Sequence, residues 1–368
     1  MHIEKLSLTQ FKNHHKSSFD FAKDINCFYG VNGAGKTNIL DALHYVATGK
    51  SYFGRMDGNS IQFDTDFTLV KASLVSNHEP LEIQIGLSNP GKKAIRKNGV
   101  LIKRLADFIG LIPAVMITPG DIYLLTGHSD DRRKFIDKTL GYADNQYLKQ
   151  VIQHNKLLET RNELLKQFFI RQKQDLIALE SIDVQLAPLV DFIAKKRSDF
   201  VKSVEPQLKE IYQYLVHSAE EISISYESHL NDRRSEELLK SSIPNDLASQ
   251  RTSMGVHKDD LSVLINNVSV KKYGSQGQIK SATIALNLAA YHHIRNSLEI
   301  TPLLLLDDIF EKIDDVRSKR LLELISSSDF GQIFITDTSE KRLKSKLKEL
   351  ASDKKFFNIE RPKNSVSQ

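Results

Sequence analysis

Apolar positions recur along this chain with two different periods. In "HIEKLSLTQF" and "FTLVKASLV" they alternate with polar ones, as in half-buried strands. Ile25, Cys27 and Phe28 predict another short strand, and Ile39, Leu40, Ala42, Leu43 and Val46 fit one face of a helix spaced near 3.6 residues. From about residue 130 to 216 glycine almost disappears and the period turns helical. Leu148, Val151, Asn155, Leu158, Asn162, Leu165 and Phe169 step by three and four, as do Leu179, Ile182, Leu186, Leu189, Ile193, Arg197, Phe200 and Val204. This predicts two helices of about six turns each, joined near residues 170–176 into an antiparallel hairpin or short coiled coil on the order of 30 Å long. Pro188 is expected to start, kink or interrupt the second. Asn155 and Asn162 fall in the seam, where they fix register or face a polar neighbour. After "ISISYESHL" a polar stretch, 231–250, precedes a further α/β segment, and the tail "RPKNSVSQ" reads as frayed. The predicted fold class is α/β, with an N-terminal lobe over 1–125, an inserted helical arm over 126–250 and a C-terminal lobe over 251–368.

The strand ending at Phe28 and the helix beginning near Lys36 enclose Gly30 to Thr37, G-V-N-G-A-G-K-T, a full match to G-x-x-x-x-G-K-[ST] in the strand–loop–helix setting that the motif requires. Glycine lets such a loop take unusual backbone angles and bring its N–H groups close to oxygen atoms, with a helix N-terminus behind them to attract an anion. Gly30, Asn32, Gly33, Gly35, Lys36, Thr37 and Asn38 are therefore candidate ATP-binding residues. Lys36 is expected to reach the β- and γ-phosphates, and the Thr37 hydroxyl to ligate Mg²⁺.

"TPLLLLDDIF" supplies a companion: a continuous apolar run ending in two acids suits a buried parallel strand whose C-terminal edge meets the ligand. Asp307 would hold Mg²⁺ through water or Thr37, and Asp308 would take a proton from the attacking water or orient it. About 30 residues upstream, Ser275, Gly277 and Gln278 stand before a strongly helical run. S-x-x-Q is also a capping box, but capping leaves Gly277 unexplained. S-x-G-Q at this distance has the arrangement of the signature motif of ABC-type ATPases, whose serine contacts the γ-phosphate held by a second subunit. ATP bound in this way would join two heads, and its hydrolysis would release them.

Charge and composition narrow the setting. Net charge is +5, a mild basic excess that permits nucleic acid without demanding it. The single cysteine, Cys27, excludes a disulfide framework and suits a reducing compartment. No signal-like segment opens the chain and no apolar run approaches 18 residues, so a cytoplasmic protein with no membrane partner is expected.

Taken together these segments resemble the RecF family, SMC-like ABC-type ATPases of bacterial recombinational repair. The likeness runs through "FKNH", "GVNGAGKTNILDAL", "KSYF", "NGVLIKRLADFIG", "VMITPGDIYLLTGHSDDRRKFID", "HNKLLETRNELLK", "GVHKDDL" and "GSQGQIKSATIALNLA", in the family's order and spacing. Asp41 stands where the family has Glu, Lys258 where it has Arg, and Gly120 where it has Glu. Lys312-Ile313-Asp314 replaces E-L-D, so only Asp314 carries over as a nucleotide contact. At the switch position, where transporters place His, stand Asp337 and Thr338, and slow hydrolysis is expected. The resemblance implies an ABC-type ATPase head with an arm. It also implies an ATP-dependent homodimer, binding to double-stranded and gapped DNA, weak DNA-stimulated ATP hydrolysis, and cooperation with RecO and RecR in loading recombinase.

The densest basic cluster, Lys92, Lys93, Arg96, Lys97, Lys103 and Arg104, surrounds Asn98-Gly99, a hairpin signal. These side chains either contact phosphates or simply guard a solvated edge. Arg132, Arg133, Lys134, Lys195, Lys196 and Arg197 are further DNA candidates. His257, Lys258, Asp259 and Asp260 lack a third well-spaced ligand, which favours a structural or head–head interface role over a metal site. His2, His14 and His15 lie on the nucleotide's adenine side or on the surface. A transporter subunit is disfavoured by the helical insertion. A nuclease partner with a zinc hook is excluded by the lone cysteine, and a clamp with negligible turnover differs from the enzyme only in rate.

Overall fold

In a computed structural model the described residues are 1–361 apart from 55, 77, 90, 231, 232, 312, 328, 349 and 351. Lys312 and the tail beyond Arg361 lie outside them. The chain divides into two compact units: 1–121, 214–217 and 294–368 form the first, and 122–213 with 218–293 the second. Residues 251–293, assigned above to the C-terminal lobe, are thus grouped with the arm.

The first unit holds two sheets. One is antiparallel, in the order β2 (His14–Asp20), β1 (His2–Phe11), β4 (Phe67–Ser76), β5 (Glu79–Ser88), β6 (Lys92–Lys97), β7 (Val100–Ile102). Its alternation gives one apolar face, with Leu6, Leu8, Val70, Ala72, Leu74, Ile83 and Ile85 buried. The other is parallel, in the order β14 (Lys354–Asn358), β3 (Ile25–Tyr29), β13 (Ile333–Asp337), β12 (Leu303–Leu306), β8 (Ala114–Ile117). Strands β12 and β8 are apolar throughout and β13 is apolar over Ile333–Ile335, as buried parallel strands are. Helix α1 (Lys36–Thr48) is buried on nearly every side, its Ile39, Leu43 and Val46 sharing one core with both sheets. The same unit carries α9 (Asp315–Ile325) and α10 (Glu340–Leu347). Parallel pairing sets the C-terminal ends of β3, β12 and β13 along one edge, where the phosphate loop and Asp307 follow their strands and Asp337 ends β13.

The second unit contains α2 (Tyr123–Thr126), α3 (Ser129–Ala143), α4 (Asn145–Arg171), most of α5 (Leu176–Val216) and α6 (Ser235–Ser249). With them go the small sheet of β9 (Ile222–Glu227), β10 (Asp260–Ile265) and β11 (Val268–Ser269), then α7 (Val270–Tyr273) and most of α8 (Gln276–Leu298). Three expectations change here. Helix α5 has 41 residues, about 60 Å, and runs unbroken through Pro188 and Pro206. The carbonyls that these prolines leave without an N–H belong to Val184 and Lys202, both exposed to water. The polar stretch 231–250 contains a helix, α6, which buries Leu238 and Leu239. The seam of α4 keeps Val151 and Leu165 as expected but elsewhere shifts by one residue: Tyr147, His154, Arg161 and Phe168 are buried, while Asn155 and Phe169 are exposed. A search for apolar residues steps past a buried His and a buried Arg. Asn162 faces a polar neighbour, accepting the Thr252 N–H at 2.7 Å.

Candidate nucleotide site

In the first unit, the loop between β3 and α1 depends on backbone that only glycine takes readily. Gly35 caps α1 at φ 108°, and a Cβ there would lie 2.5 Å from the Asn13 amide; Gly30, at φ 151°, would collide with the Ile359 carbonyl. Gly33 has φ 80°, and the Asn32 carbonyl accepts from Arg361 at 2.9 Å. Lys36 is buried, its ammonium donating to the carbonyls of Gly30 at 2.9 Å and Val31 at 3.3 Å.

Thr37 follows, and its hydroxyl donates to Asp307 Oδ1 at 2.9 Å. The Thr336 hydroxyl donates to the same oxygen at 2.8 Å and accepts the Asp308 N–H at 2.9 Å. Asp308 itself sits at φ 43°, a left-handed backbone that costs a non-glycine residue about 1 kcal/mol or more. Burial raises the Asp307 pKa, opposed by the two threonine hydroxyls and by the charge of Lys36. A hydroxyl and a carboxylate are hard oxygen donors. Mg²⁺ commonly takes one or two such groups and leaves its remaining positions to water and phosphate, so Thr37 and Asp307 fit it. Among the described residues no cluster of three or more His, Cys, Asp or Glu forms a metal site.

Sequence reasoning overlooked several residues that hold this site. Thr336 is polar directly after the apolar Ile333–Ile335 of a buried strand, and that contrast was the signal. Asn13 donates to the Ala34 carbonyl at 3.1 Å and accepts from Asn38 at 2.7 Å. His14 is buried, with Nε2 3.1 Å from the Gly35 carbonyl; a carbonyl only accepts, so the proton is on Nε2 and Nδ1 faces the Ser17 hydroxyl at 3.0 Å. Burial lowers its pKa. His14 is therefore a brace for the loop, whereas His15 is exposed and His2 lies 3.8 Å from Glu4. Asp41, fully buried, takes Lys12 at 2.5 Å, the Ser51 hydroxyl at 2.7 Å and the Tyr52 N–H at 2.6 Å. Tyr52 in turn donates to Asp121 at 2.5 Å. At the switch position Asp337 is buried and ion-paired with Arg342 at 2.6 Å, while the Thr338 hydroxyl lies 3.3 Å from the same guanidinium. Asp314 caps α9 by accepting the Arg317 N–H at 2.9 Å.

In the second unit, Ser275 and Gln278 form a reciprocal cap at the start of α8. Gln278 Oε1 accepts the Ser275 N–H at 2.9 Å, and Ser275 Oγ accepts the Gln278 N–H at 3.2 Å. Ser275 is exposed, and Gly277 follows in the first turn. Asp260 is held by Arg132 at 2.6 Å and Asp259 by Arg197 at 3.5 Å, so these acids serve the internal packing of this unit; Lys258 is exposed.

The basic clusters separate into committed and exposed groups. Asn98 (φ 48°) and Gly99 (φ 79°) form the turn between β6 and β7, and Lys92, Arg96, Lys97, Lys103 and Arg104 are exposed around it. Lys93 departs from the expectation. Its ammonium is held by Asp57 at 3.0 Å and by the Gly49 carbonyl, over the ring of Tyr45, because strand alternation turns it inward. Arg104 pairs with Asp107 at 3.0 Å. Arg132 and Arg197 are buried in ion pairs and are not surface contacts. Lys134 pairs with Asp130 at 2.5 Å and Lys196 with Asp144 at 2.7 Å; Arg133 donates to the Asp259 carbonyl at 2.8 Å, and Lys195 is exposed.

Residues 2–356 match the RecF/RecN/SMC N terminal domain family. The DNA replication and repair protein RecF of Flavobacterium johnsoniae is 39% identical over 98% of this chain and 100% of its own, and that of Porphyromonas gingivalis is 38% identical over 98% of each. A solved structure of the recombination mediator protein RecF-ATP in the RecFOR pathway has a TM-score of 0.88 at 27% identity, covering 98% of this chain and 95% of that one. The Smc head domain from Pyrococcus furiosus shares the fold alone, with a TM-score of 0.55 at 18% identity over 93% and 91% of the two chains. The fold is that of an ABC-type ATPase head formed by N- and C-terminal lobes with an inserted helical arm. With near-complete coverage at this identity, the chain belongs to the RecF family of DNA replication and repair proteins.

Proposed function

We propose that this chain is an ATP-dependent DNA-binding protein of replication and recombinational repair. Two heads dimerise on ATP, clamp double-stranded DNA near single-strand gaps and let go after slow hydrolysis, helping RecO and RecR to load recombinase. The observation that carries this reading is the run of hydrogen bonds from Thr37 through Asp307 and Thr336 to the Asp308 N–H, set against a glycine-built phosphate loop. The name of the RecF-ATP neighbour supports the nucleotide, and the names of the curated relatives support replication and repair.

Each group has a definite task. The N–H groups of Gly33 to Thr37 cradle the β-phosphate, and Lys36 exchanges two carbonyl acceptors for phosphate oxygens. Thr37 and Asp307 would hold Mg²⁺, which when bound neutralises charge on the β- and γ-phosphates. Asp308 orients the attacking water and takes its proton, in a backbone fixed by Thr336. Ser275 already accepts the Gln278 N–H, which leaves its own O–H to donate to a γ-phosphate oxygen of the other subunit. Asp314 adds a contact across the dimer. Asp337 is tied to Arg342, so no mobile imidazole senses the γ-phosphate, and this together with the short Asp308 side chain supports slow turnover.

By function we assign 1–125 and 251–368 to the nucleotide-binding lobes and 126–250 to the arm, although 251–293 pack in one compact unit with the arm. Lys92, Arg96, Lys97, Lys103 and Arg104 are the proposed phosphate contacts, which would give salt-dependent binding with little sequence preference. A cytoplasmic site of action is supported by the lone buried Cys27, whose thiol burial pushes up to about 12. Among the described residues no helix is long and apolar enough to cross a membrane. Sedimentation with ATP and with ADP tests the composite site. Wild-type protein is expected to dimerise with ATP and Ser275→Arg to remain monomeric; a Ser275→Arg protein that dimerises normally would refute it.

A further inference from the structure

Gln278 does more than close a helix cap. Its Oε1 is engaged by the Ser275 N–H, and its Nε2 donates to Glu220 Oε1 at 2.9 Å. The other carboxylate oxygen of Glu220 accepts the Tyr212 hydroxyl at 2.7 Å. Tyr212 is fully buried near the end of α5. Glu220 is braced from behind, because Glu221 donates its N–H to Asn266 Oδ1 at 2.8 Å and accepts the Asn266 N–H at 2.8 Å, and β9 then pairs with β10 from Ile222 onward. All these residues lie in the second unit.

We propose that Glu220 is a positioning residue for the signature serine, and that Tyr212, Glu220 and Gln278 together tie the end of the arm helix to the ATP-dependent dimer contact. The proposal rests on the composite-site reading above. A capping box needs only its serine and glutamine, so capping leaves Glu220 without a purpose. A carboxylate beside a surface meant for a γ-phosphate repels that ligand, which makes its presence costly unless it orders something the ligand needs. What it orders is the Gln278 amide. With the carboxylate on one side and the Ser275 N–H on the other, flipping the amide would set acceptor against acceptor and donor against donor. The amide is held in one orientation, and Ser275 with it.

The test measures ATP affinity of the monomer, the ATP-dependent dimer dissociation constant and the melting temperature for Glu220→Ala, Glu220→Gln and Tyr212→Phe, with Ser275→Arg alongside. Glu220→Ala is expected to weaken the dimer about tenfold, the loss of a charge-assisted hydrogen bond, while monomer affinity for ATP stays at the wild-type value. Glu220→Gln keeps an oxygen acceptor for Gln278 and should restore the dimer to within about twofold; Tyr212→Phe keeps the buried ring and should weaken it about threefold. A Glu220→Ala protein that dimerises like wild type, while Ser275→Arg does not, overturns this proposal alone. Equal losses of monomer affinity, dimer and melting temperature would show a merely structural role and also overturn it. Normal dimerisation of Ser275→Arg overturns the composite-site reading and this proposal with it.

Discussion

The two units treat most buried carboxylates alike and one differently: in the first, Asp41 meets Lys12 and Asp337 meets Arg342, but Asp307 is left without an ion pair among the described residues. In the second, acids meet guanidinium groups: Arg161, fully buried, joins Asp183 at 2.6 Å and Asp246 at 2.7 Å, and Arg197 joins Asp137 at 2.9 Å and the Val256 carbonyl at 2.7 Å. Asp307 has only hydroxyl partners, and burial raises its pKa. A matched buried charge is a fastening, whereas one left with hydroxyls is prepared for a cation that arrives with a ligand. This contrast supports the proposed role of Asp307 in the chemistry, while Asp246 serves the packing of the second unit.

The largest effect should come from unmatching the arm. Arg161→Leu strands two acids at the junction of α4, α5 and α6 and should destabilise the protein by about 3–5 kcal/mol in denaturant unfolding. A loss below ~1 kcal/mol would mean that the network fastens nothing. Lys36→Ala in the first unit should change stability little but weaken ATP at least ~100-fold, close to 3 kcal/mol, by calorimetric titration. Near-normal affinity would remove the phosphate-loop assignment.

Those two residues also show what can be read from a sequence. The phosphate loop works through backbone angles, which demand glycine at Gly30 and Gly35, so its function is written locally. Arg161 works through side chains 22 and 85 residues away, and any separation would serve equally well, so no motif marks it. Arg161 occupies the α4 seam because Asp246 and Thr252 meet it inside, and His154 lies there with its ring beside that of His257; an apolar pattern registers neither. Thr336 escaped notice because Asp337, beside it, looked the more reactive group, yet Asp337 is spent on Arg342. The parallel strand before Asp307 and the helical arm were legible because their periods are set by burial, while the length of α5 was not, since proline is harmless where the freed carbonyl meets water.

Acid should sharpen the contrast further. Burial lowers His257 to about 4, with the Thr252 carbonyl opposing, and also lowers His154, 6.4 Å away ring to ring. The unfolded chain, with histidines near 6.5, binds more protons between about pH 4 and 6.5, so stability rises with pH through that window and is lost on acidification. From pH 7 to pH 5 His257 alone should remove about 2 kcal/mol, and His257→Gln should flatten the profile; an unchanged pH dependence would exclude this. The smallest effect is expected from Thr336→Val, which keeps the shape of β13 and removes the hydroxyl between Asp307 and Asp308. It should slow ATP hydrolysis about tenfold, near 1.4 kcal/mol of barrier, with ATP affinity little changed. Wild-type turnover would show that Thr336 does not set the geometry of Asp308.

Sedimentation of Asp308→Asn with a labelled duplex, first with ATP and then with ADP, tests whether ATP turns two monomers into one DNA clamp. The expected result is a dimer that carries the duplex with ATP and a monomer that leaves it behind with ADP. A persistent monomer with ATP bound and the duplex free would contradict the ATP-driven clamp.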